Sequence, residues 1–244
     1  MVLTDMGQDA VDSLAQDLGS RALAIAADVT DQQAMEDAVA AAVAEFGGVD
    51  VLFANAGIAA RPSTINDADA DEFERVINVD LLGVWRSTRA ALPQIIARQG
   101  HVVMTASIYA TVNGAINAPY AMSKAGVEQF GRALRTELTI HGASAGVLYP
   151  GWVDTDIASV AFGAHDVATR MCARAYPGPY GKTVNADRVA RATCDGIERR
   201  AARTIVPRRW LPVMFASGII NPLSDRWLER DKVIREGLRE IEFQ

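Results

Sequence analysis

The chain has 244 residues, half of them hydrophobic by composition, and a formal net charge of −6. One domain of this length can bury a sizeable core, so we expect residues 1–244 to form a single domain. The acidic balance argues against general nucleic-acid binding.

Short apolar runs alternate with amphipathic stretches along the chain. The apolar runs predict strands, and the amphipathic stretches predict helices. The predicted strands cover residues 2–4, 22–26, 49–54, 102–106, 145–149 and 204–206. The predicted helices cover residues 8–18, 30–46, 70–98, 120–140 and 186–200. Thr30 and Gln33 fit a capping box for the second helix, whereas prolines and glycines predict an irregular stretch over residues 157–185.

This alternation predicts an α/β fold, a doubly wound parallel sheet with helices on both faces. Cys172 and Cys194 have neither a metal-site spacing nor a disulfide framework, so we expect no metal and reduced thiols in a cytoplasmic protein. The first residues do not read as a secretory signal, and no apolar run reaches the roughly 18 residues of a membrane span.

The most informative residues are Tyr120 and Lys124, which lie one turn apart on one face of a predicted helix. Ser107 follows a predicted strand thirteen positions before the tyrosine. A lysine charge one turn away favours the phenolate, and we expect it to lower the tyrosine pKa by roughly two to three units. A tyrosine so shifted is a usable general acid or base. The pair alone would more often be structural.

Together with other motifs these residues make the chain resemble the short-chain dehydrogenase/reductases, from residue 2 to about residue 207. The motifs occur in the family's order and are Asp28-Val29, Asn55-Ala56-Gly57, Asn78, Ser107, Tyr120-x-x-x-Lys124 and Pro150-Gly151-x-Val153-x-Thr155. The resemblance implies a Rossmann-like fold, an NAD(P)-dependent alcohol dehydrogenase or ketone reductase, and a homodimer or homotetramer.

The resemblance also implies roles for single residues. Tyr120 would exchange a proton with the substrate oxygen, Ser107 would hydrogen-bond that oxygen, and Lys124 would bind the nicotinamide ribose. Asn78 would help to seat a water molecule beside Lys124. The remaining implied cofactor contacts are Asp28 and Val29 at the adenine, Asn55, Ala56 and Gly57 at the sheet edge, and Pro150, Gly151, Val153 and Thr155 at the nicotinamide.

Each of these residues has a plainer structural interpretation. Asn78 could bond to its own helix, and Asp28 could be a turn residue before Thr30. Ala56-Gly57 could form a tight turn, a common use of glycine. Thr155 could cap the stretch that follows it.

Asp5 bears on the choice of cofactor. It ends the first predicted strand, where a carboxylate accepts hydrogen bonds from ribose hydroxyls and repels a 2′-phosphate. Asp5 therefore favours NAD over NADP. The plainer alternative is that it caps the helix after Gly7.

The sequence lacks the family's G-x-x-x-G-x-G turn, which cradles the cofactor pyrophosphate at a helix N-terminus. Relative to the family, the first strand and helix are missing, and that strand is a central one. Its removal would leave its neighbours about 10 Å apart. The explanations are a protein that starts further upstream, a truncated relative that binds no cofactor, or a sheet that closes by pairing the remaining strands. We favour the first, because the later catalytic positions are intact.

The C-terminal segment, residues 199–244, differs from the rest of the chain. It holds ten Lys and Arg against six Asp and Glu, and we expect it to form a lid over an apolar substrate or an oligomer contact. A sharper alternative is transient contact with a membrane surface. Apolar residues at helical spacing near its end predict a further helix, along Trp227, Val233, Ile234, Leu238 and Ile241.

Two functional hypotheses follow. In the first, the protein transfers a hydride between NAD and a secondary alcohol or ketone, with an apolar substrate. In the second, it is a non-catalytic remnant that acts as an oligomerisation or interaction subunit. The catalytic residues favour the first, and the missing glycine turn motivates the second.

Overall fold

The computed structural model describes residues 1–158, 160–161 and 165–243. Its strands all run parallel to their neighbours. They are β1 Val2–Asp5, β2 Leu23–Ala26, β3 Val51–Ala54, β4 His101–Thr105, β5 Ser144–Pro150 and β6 Arg203–Val206.

The connections between the strands are mainly helical. The helices are α1 Gln8–Leu18, α2 Gln32–Phe46, α3 Ala70–Ile77, α4 Val84–Ala97, α5 Ala118–Glu137, α6 Asp156–Ala158, α7 Asp166–Ala175, α8 Ala186–Glu198, α9 Leu211–Phe215, α10 Ser217–Leu228 and α11 Lys232–Glu242. The predicted strands and most predicted helices are therefore confirmed, as is the α/β class. None of the helices in the described part of the chain has the length and apolar character needed to cross a membrane.

The parallel strands form two sheets instead of one. β1 pairs with β2, and β3, β4, β5 and β6 pair in that order. Within the described residues β1 and β3 do not pair with each other, so the sheet does not close across the position of the expected central strand. Val51 and Phe53 on the edge strand β3 are 41% and 42% exposed. Their exposure follows from the position of β3 at the edge of its sheet.

The main core lies where β4 and β5 pack against α4 and α5. Val102 and Met104 on β4 and Ala145 on β5 have no exposed surface, and Val127 on α5 packs into the same cluster. Strands buried on both faces carry continuous apolar runs, which explains the apolar sequence of β4. This core holds the carboxyl end of β4 rigidly against α5.

The long helix predicted over residues 70–98 contains one π-helical turn. Residues 78–83 form this turn between α3 and α4. Such turns occur mostly within α-helices and often at functional sites. The turn determines which side chain of the helix faces α5. That side chain is the one that becomes part of the candidate site.

Two local predictions are wrong. Asp31, not Thr30, caps α2, because its side chain accepts from the backbone N–H groups of Gln33 and Ala34. The stretch predicted to be irregular contains α7, whose Met171 packs against Ile234 of α11. The sequence signal that failed there was the density of proline and glycine, which lie after α7 and not within it.

Candidate active site

The ends of β3 and β4 are joined by side chains at the carboxyl edge of the sheet. Thr105 at the end of β4 donates a hydrogen bond from Oγ1 to Oδ1 of Asn55, at 2.9 Å. Asn55 follows β3 directly. Open α/β sheets bind ligands at this edge.

Ser107, Tyr120 and Lys124 meet beside that edge. Ser107 is buried, and its hydroxyl accepts a hydrogen bond from the backbone N–H of Tyr109 at 3.2 Å. Ser107 also lowers the pKa of the Tyr120 hydroxyl, which places the two hydroxyl groups near each other. The Nζ atom of Lys124 lies 5.3 Å from the centre of the Tyr120 ring. The spacing of tyrosine and lysine on α5 therefore brings hydroxyl, phenol and ammonium together.

Lys124 is almost completely buried and has two oxygen neighbours. Its Nζ donates to the backbone carbonyl of Thr105 at 3.2 Å. The same Nζ lies 3.1 Å from Oδ2 of Asp80, and the two side chains are 3% and 0% exposed. A buried ammonium needs such partners, because an unpaired buried charge is costly.

Asp80 occupies the place by the lysine that the sequence analysis gave to Asn78. Its Oδ1 accepts a hydrogen bond from the backbone N–H of Ile58 at 2.8 Å. Asn78 is partly exposed, and its backbone carbonyl accepts a hydrogen bond from Arg86 at 3.3 Å. Within the described residues, the helix presents the carboxylate and not the amide to Lys124.

The helical periodicity contained the signal for Asp80. The buried positions of this helix include Val76, Asp80, Val84 and Ser87, three or four residues apart. Asn78 lies two positions away from Asp80, on a different face of the helix. The apolar stripe, unlike the motif match, points to Asp80 as the polar residue that faces Lys124.

The pKa of Tyr120 is raised above its ordinary value, which is opposite to the direction expected from Lys124 alone. Burial of the phenol is the largest cause. The Lys124 charge lowers the pKa, the Asp80 charge raises it, and the hydrogen bond with Ser107 lowers it. Burial likewise raises the pKa of Asp80, against the lowering by Lys124 and the Ile58 N–H. The phenol is therefore protonated at neutral pH.

The predicted glycine turn after β3 lies close to the ion pair. A Cβ atom on Gly57 would lie 3.3 Å from both Asp80 Oδ2 and Lys124 Nζ. The neighbouring Ala56 is exposed. Val29 packs against the same helix, since a Cβ atom on Gly83 would come within 2.7 Å of its side chain. Glycine at 57 thus leaves room for the pair beneath an accessible backbone.

The Pro150-Gly151 segment is tied to the C-terminal part of the chain. Pro150 ends β5, and the N–H of Gly151 donates to the carbonyl of Val206 at 2.7 Å. Val153 forms a β-bridge with Val184. These contacts fix the turn in which Thr155 lies.

Three other predicted cofactor residues make local contacts, and that of Asp28 matches its plainer interpretation as a turn residue. Asp5 accepts from the N–H of Gly7 at 2.9 Å. Asp28 accepts from the N–H of Thr30 at 2.8 Å. Thr155 donates to the carbonyl of Val153 at 3.4 Å. Their side chains lie near the carboxyl ends of their strands, and their roles toward a cofactor stay predictions.

An aromatic wall borders Tyr120, and the sequence analysis did not single it out. Each ring contacts the next at centroid distances of 5.1 to 5.9 Å. The wall consists of Tyr109, Trp152, Tyr176, Trp210 and Tyr180. Beyond it lies a cavity of about 150 Å³, lined mainly by apolar and aromatic side chains that include Val213, Ile220 and Trp227.

A doubly wound parallel fold with a tyrosine–lysine helix beside a serine at the sheet edge defines a class of oxidoreductases. The short chain dehydrogenase family matches residues 1–164. The cis-4-hydroxycyclohexanecarboxylate dehydrogenase of Sinomonas cyclohexanicum is 35% identical over 187 residues, which cover 76% of this chain and 73% of that protein. The (+)-borneol dehydrogenase 1 of Salvia officinalis is 33% identical over 198 residues, covering 79% and 74%.

A solved structure agrees with these matches. The 3-ketoacyl-(acyl-carrier-protein) reductase from Brucella melitensis, complexed with NADH, has a TM-score of 0.73 and 26% sequence identity, with 84% of this chain and 85% of that chain covered. The protein belongs to the short chain dehydrogenase family. Its homologues are oxidoreductases, and the resemblance inferred from the motifs is confirmed.

Proposed function

We propose that the protein interconverts a secondary alcohol and a ketone, with NAD as its cofactor and Tyr120 as the acid–base group. The observation that carries the proposal is the buried ammonium of Lys124, 5.3 Å from the centre of the Tyr120 ring, with Ser107 near the phenol. A tyrosine hydroxyl held by a second hydroxyl, beside a fixed cation, is suited to proton exchange with a substrate oxygen.

In ketone reduction the Tyr120 O–H bond breaks as the new alcohol O–H bond forms. Ser107 hydrogen-bonds the substrate oxygen and holds it near the phenol. The positive charge of Lys124 stabilises the phenolate that remains. Alcohol oxidation runs the same proton transfer in reverse, from the substrate hydroxyl to the phenolate. A bound nicotinamide supplies the hydride chemistry, giving hydride in one direction and taking it in the other.

The residues at the carboxyl edge fit the nicotinamide half of such a cofactor. The exposed residues Asn55 and Ala56 lead to Gly57, where a Cβ atom would lie 3.3 Å from the Lys124 Nζ atom. We propose that these residues, with Thr155, hold the nicotinamide and its ribose. Asp28 and Val29 would flank the adenine, and Pro150, Gly151 and Val153 would shape the turn.

The preference for NAD over NADP depends on Asp5. Its carboxylate is exposed and ends β1. One oxygen accepts the Gly7 N–H, and a carboxylate has further acceptor sites for ribose hydroxyls. A 2′-phosphate at the same place would meet like charge.

We propose an apolar substrate, and the aromatic wall beside Tyr120 supports this. The wall and the cavity of about 150 Å³ behind it present apolar surface with few polar groups. The cyclohexanecarboxylate and borneol dehydrogenases among the relatives act on ring-containing alcohols by name. A cyclic secondary alcohol is therefore the first substrate class to assay.

A second candidate function is that of a non-catalytic interaction subunit. The sequence has no glycine-rich phosphate turn, and within the described residues β1 and β3 do not pair with each other. Exposed apolar side chains on the long helices support a homodimer or homotetramer, since Leu82, Trp85 and Met122 are 39%, 41% and 51% exposed. Light scattering of the purified protein measures this assembly directly.

The C-terminal segment carries a separate apolar stripe. Phe215, Ile219, Leu223 and Trp227 are four residues apart on α9 and α10 and are 40–73% exposed. We propose that this stripe contacts a membrane surface reversibly, helped by the basic character of the segment. Co-flotation with anionic vesicles, lost in Ile219→Ser, is expected. The absence of co-flotation at low salt would rule out the membrane contact. Apart from this contact, we propose that the protein is cytoplasmic.

The function is tested by incubating the purified protein with NAD and a panel of cyclic secondary alcohols while NADH absorbance is followed. Calorimetry with NAD alone separates cofactor binding from turnover. Turnover with NAD supports the oxidoreductase. Absence of both NAD binding and turnover in the folded protein, with assembly retained, would favour the interaction subunit.

A further inference from the structure

We propose that Asp80 is a positioning residue that sets the protonation of Tyr120 by pairing with Lys124. The inference rests on the proposed acid–base role of Tyr120. It goes further because it gives the site a built-in control over the pH range and the direction in which that tyrosine works.

The geometry fixes Asp80 between two donors. Its Oδ1 accepts the Ile58 N–H at 2.8 Å, and its Oδ2 lies 3.1 Å from Lys124 Nζ. Asp80 has no exposed surface and Lys124 has 2%. Neither group can therefore exchange its partner for water without a change in the helix or the loop that holds it.

Neighbouring residues pack closely around the pair. A Cβ atom on Gly57 would lie 3.3 Å from both charged groups, so the loop after β3 closes over them. Beneath them, Lys124 Nζ donates to the carbonyl of Thr105 on β4 at 3.2 Å. A buried pair of this kind acts on nearby titrating groups with little screening.

Within the part of the chain that the structure describes, the polar and charged groups that act on the Tyr120 pKa come from three elements. Lys124 lies on the same helix, Asp80 lies on the π-helical turn, and Ser107 and the ring of Tyr109 lie in the loop after β4. Of the two charges, Lys124 lowers the pKa of Tyr120 and Asp80 raises it. The pair is close to neutral as a whole, so Asp80 offsets much of the effect of the lysine.

The consequence is a tyrosine that keeps its proton at neutral pH. This is the form that donates a proton in ketone reduction. Alcohol oxidation needs the phenolate, so it is expected to require alkaline pH. An asparagine at position 80 would keep the hydrogen bond from Ile58 but remove the negative charge, and the phenolate would form at lower pH.

The test is NMR titration of isotope-labelled tyrosine in the whole protein, with the Tyr120 signal assigned by its loss in Tyr120→Phe. In Asp80→Asn the Tyr120 midpoint should fall by about 1 pH unit or more, the size expected for removal of one nearby charge. Asp50→Asn is the matched control, because Asp50 pairs with Arg98 at the surface and is 64% exposed. The Tyr120 midpoint in Asp50→Asn should equal that of the unmodified protein.

An unchanged Tyr120 midpoint in folded Asp80→Asn would overturn the proposal. If that variant does not fold, the double variant Asp80→Asn, Lys124→Met removes both charges and takes its place. Its midpoint should stay within about half a pH unit of the unmodified value, because the two effects oppose each other. A rise of more than about 1 unit would show that only the lysine acts, and would also overturn the proposal.

The titration needs no turnover, so it separates this inference from the proposed function. A shifted midpoint in a protein that oxidises no alcohol would support the role of Asp80 and count against the proposed reaction. Where turnover is observed, the alkaline limb of the kcat/KM profile for oxidation should move down with the NMR midpoint.

Discussion

The carboxylate of Asp80 and the ammonium of Lys124 lie 3.1 Å apart, and both side chains are shut off from solvent. The pair joins the π-helical turn to α5, and through Lys124 it reaches the carbonyl at the end of β4. One buried contact thus links the helix, the strand end and the loop that bound the candidate active site.

Removal of Asp80 as a partner should destabilise the fold strongly. We expect Asp80→Ala to reduce the free energy of unfolding by about 3–5 kcal/mol, because it leaves Lys124 charged and buried without its counter-ion. Urea unfolding of both proteins measures the difference. Asp50→Ala breaks an exposed pair and should cost no more than about 1 kcal/mol. Equal losses in the two variants would contradict the account.

Lys124→Met should slow oxidation and move its pH profile to higher pH. Without the lysine charge, burial and Asp80 both raise the pKa of Tyr120, so less phenolate forms at a given pH. The kcat/KM profile for alcohol oxidation measures the shift, with Lys182→Met at a largely exposed position as the control. A profile that keeps its midpoint while the rate falls would show that Lys124 acts only through binding.

The site could be predicted from the sequence only in part. Ser107, Tyr120 and Lys124 were found because the helical spacing and the strand before the serine fix their relation. Asp80 was missed because the motif match ignored the buried face of its helix. The raised pKa of Tyr120 could not be predicted, since burial and the Asp80 charge depend on how the loop after β3 packs.

More of the fold than of the site could be predicted from the sequence, because apolar strands and amphipathic helices alternate clearly. The π-helical turn at residues 78–83 was not predicted, since the apolar pattern indicated one continuous helix over residues 70–98. The prediction of an irregular stretch over residues 157–185 was wrong, because α7 is stabilised by contacts with α11, about sixty residues later. Local composition does not predict contacts between residues that lie so far apart in the sequence.

His101 should make stability depend on pH on the acidic side. Burial, helped by the charges of Arg135 and Arg200, lowers its pKa to about 4, whereas the unfolded chain has the ordinary value of 6.5. Between these values the unfolded state binds the proton and the folded state does not, so stability falls as pH falls. The loss amounts to about 3 kcal/mol at most.

The measurement is urea unfolding of the unmodified protein and of His101→Gln between about pH 4 and pH 6.5, the two pKa values of His101. The variant should lose less stability on acidification. His141→Gln, at an exposed position, is the control and should behave like the unmodified protein. If His101→Gln lost as much stability as the unmodified protein over that range, the assignment would be refuted.

Asp5→Ser should weaken the preference for NAD. Serine can still accept the Gly7 N–H that Asp5 accepts at 2.9 Å, so α1 should keep its start. Loss of the carboxylate removes the repulsion of a 2′-phosphate, and we expect the NADP-to-NAD affinity ratio to rise at least about tenfold. Calorimetry with each cofactor measures this ratio, with the exposed Asp9→Ser as control. An unchanged NADP-to-NAD affinity ratio would mean that Asp5 serves only the turn before α1.

The most direct measurement is the turnover of Tyr120→Phe beside that of Tyr149→Phe, which removes a different buried phenol hydroxyl. Loss of the Tyr120 hydroxyl should lower kcat by about 100-fold or more while the calorimetric affinity for NAD stays the same. Tyr149→Phe should retain activity. A Tyr120→Phe protein that turns over within about twofold of the unmodified enzyme would contradict the proposed chemistry.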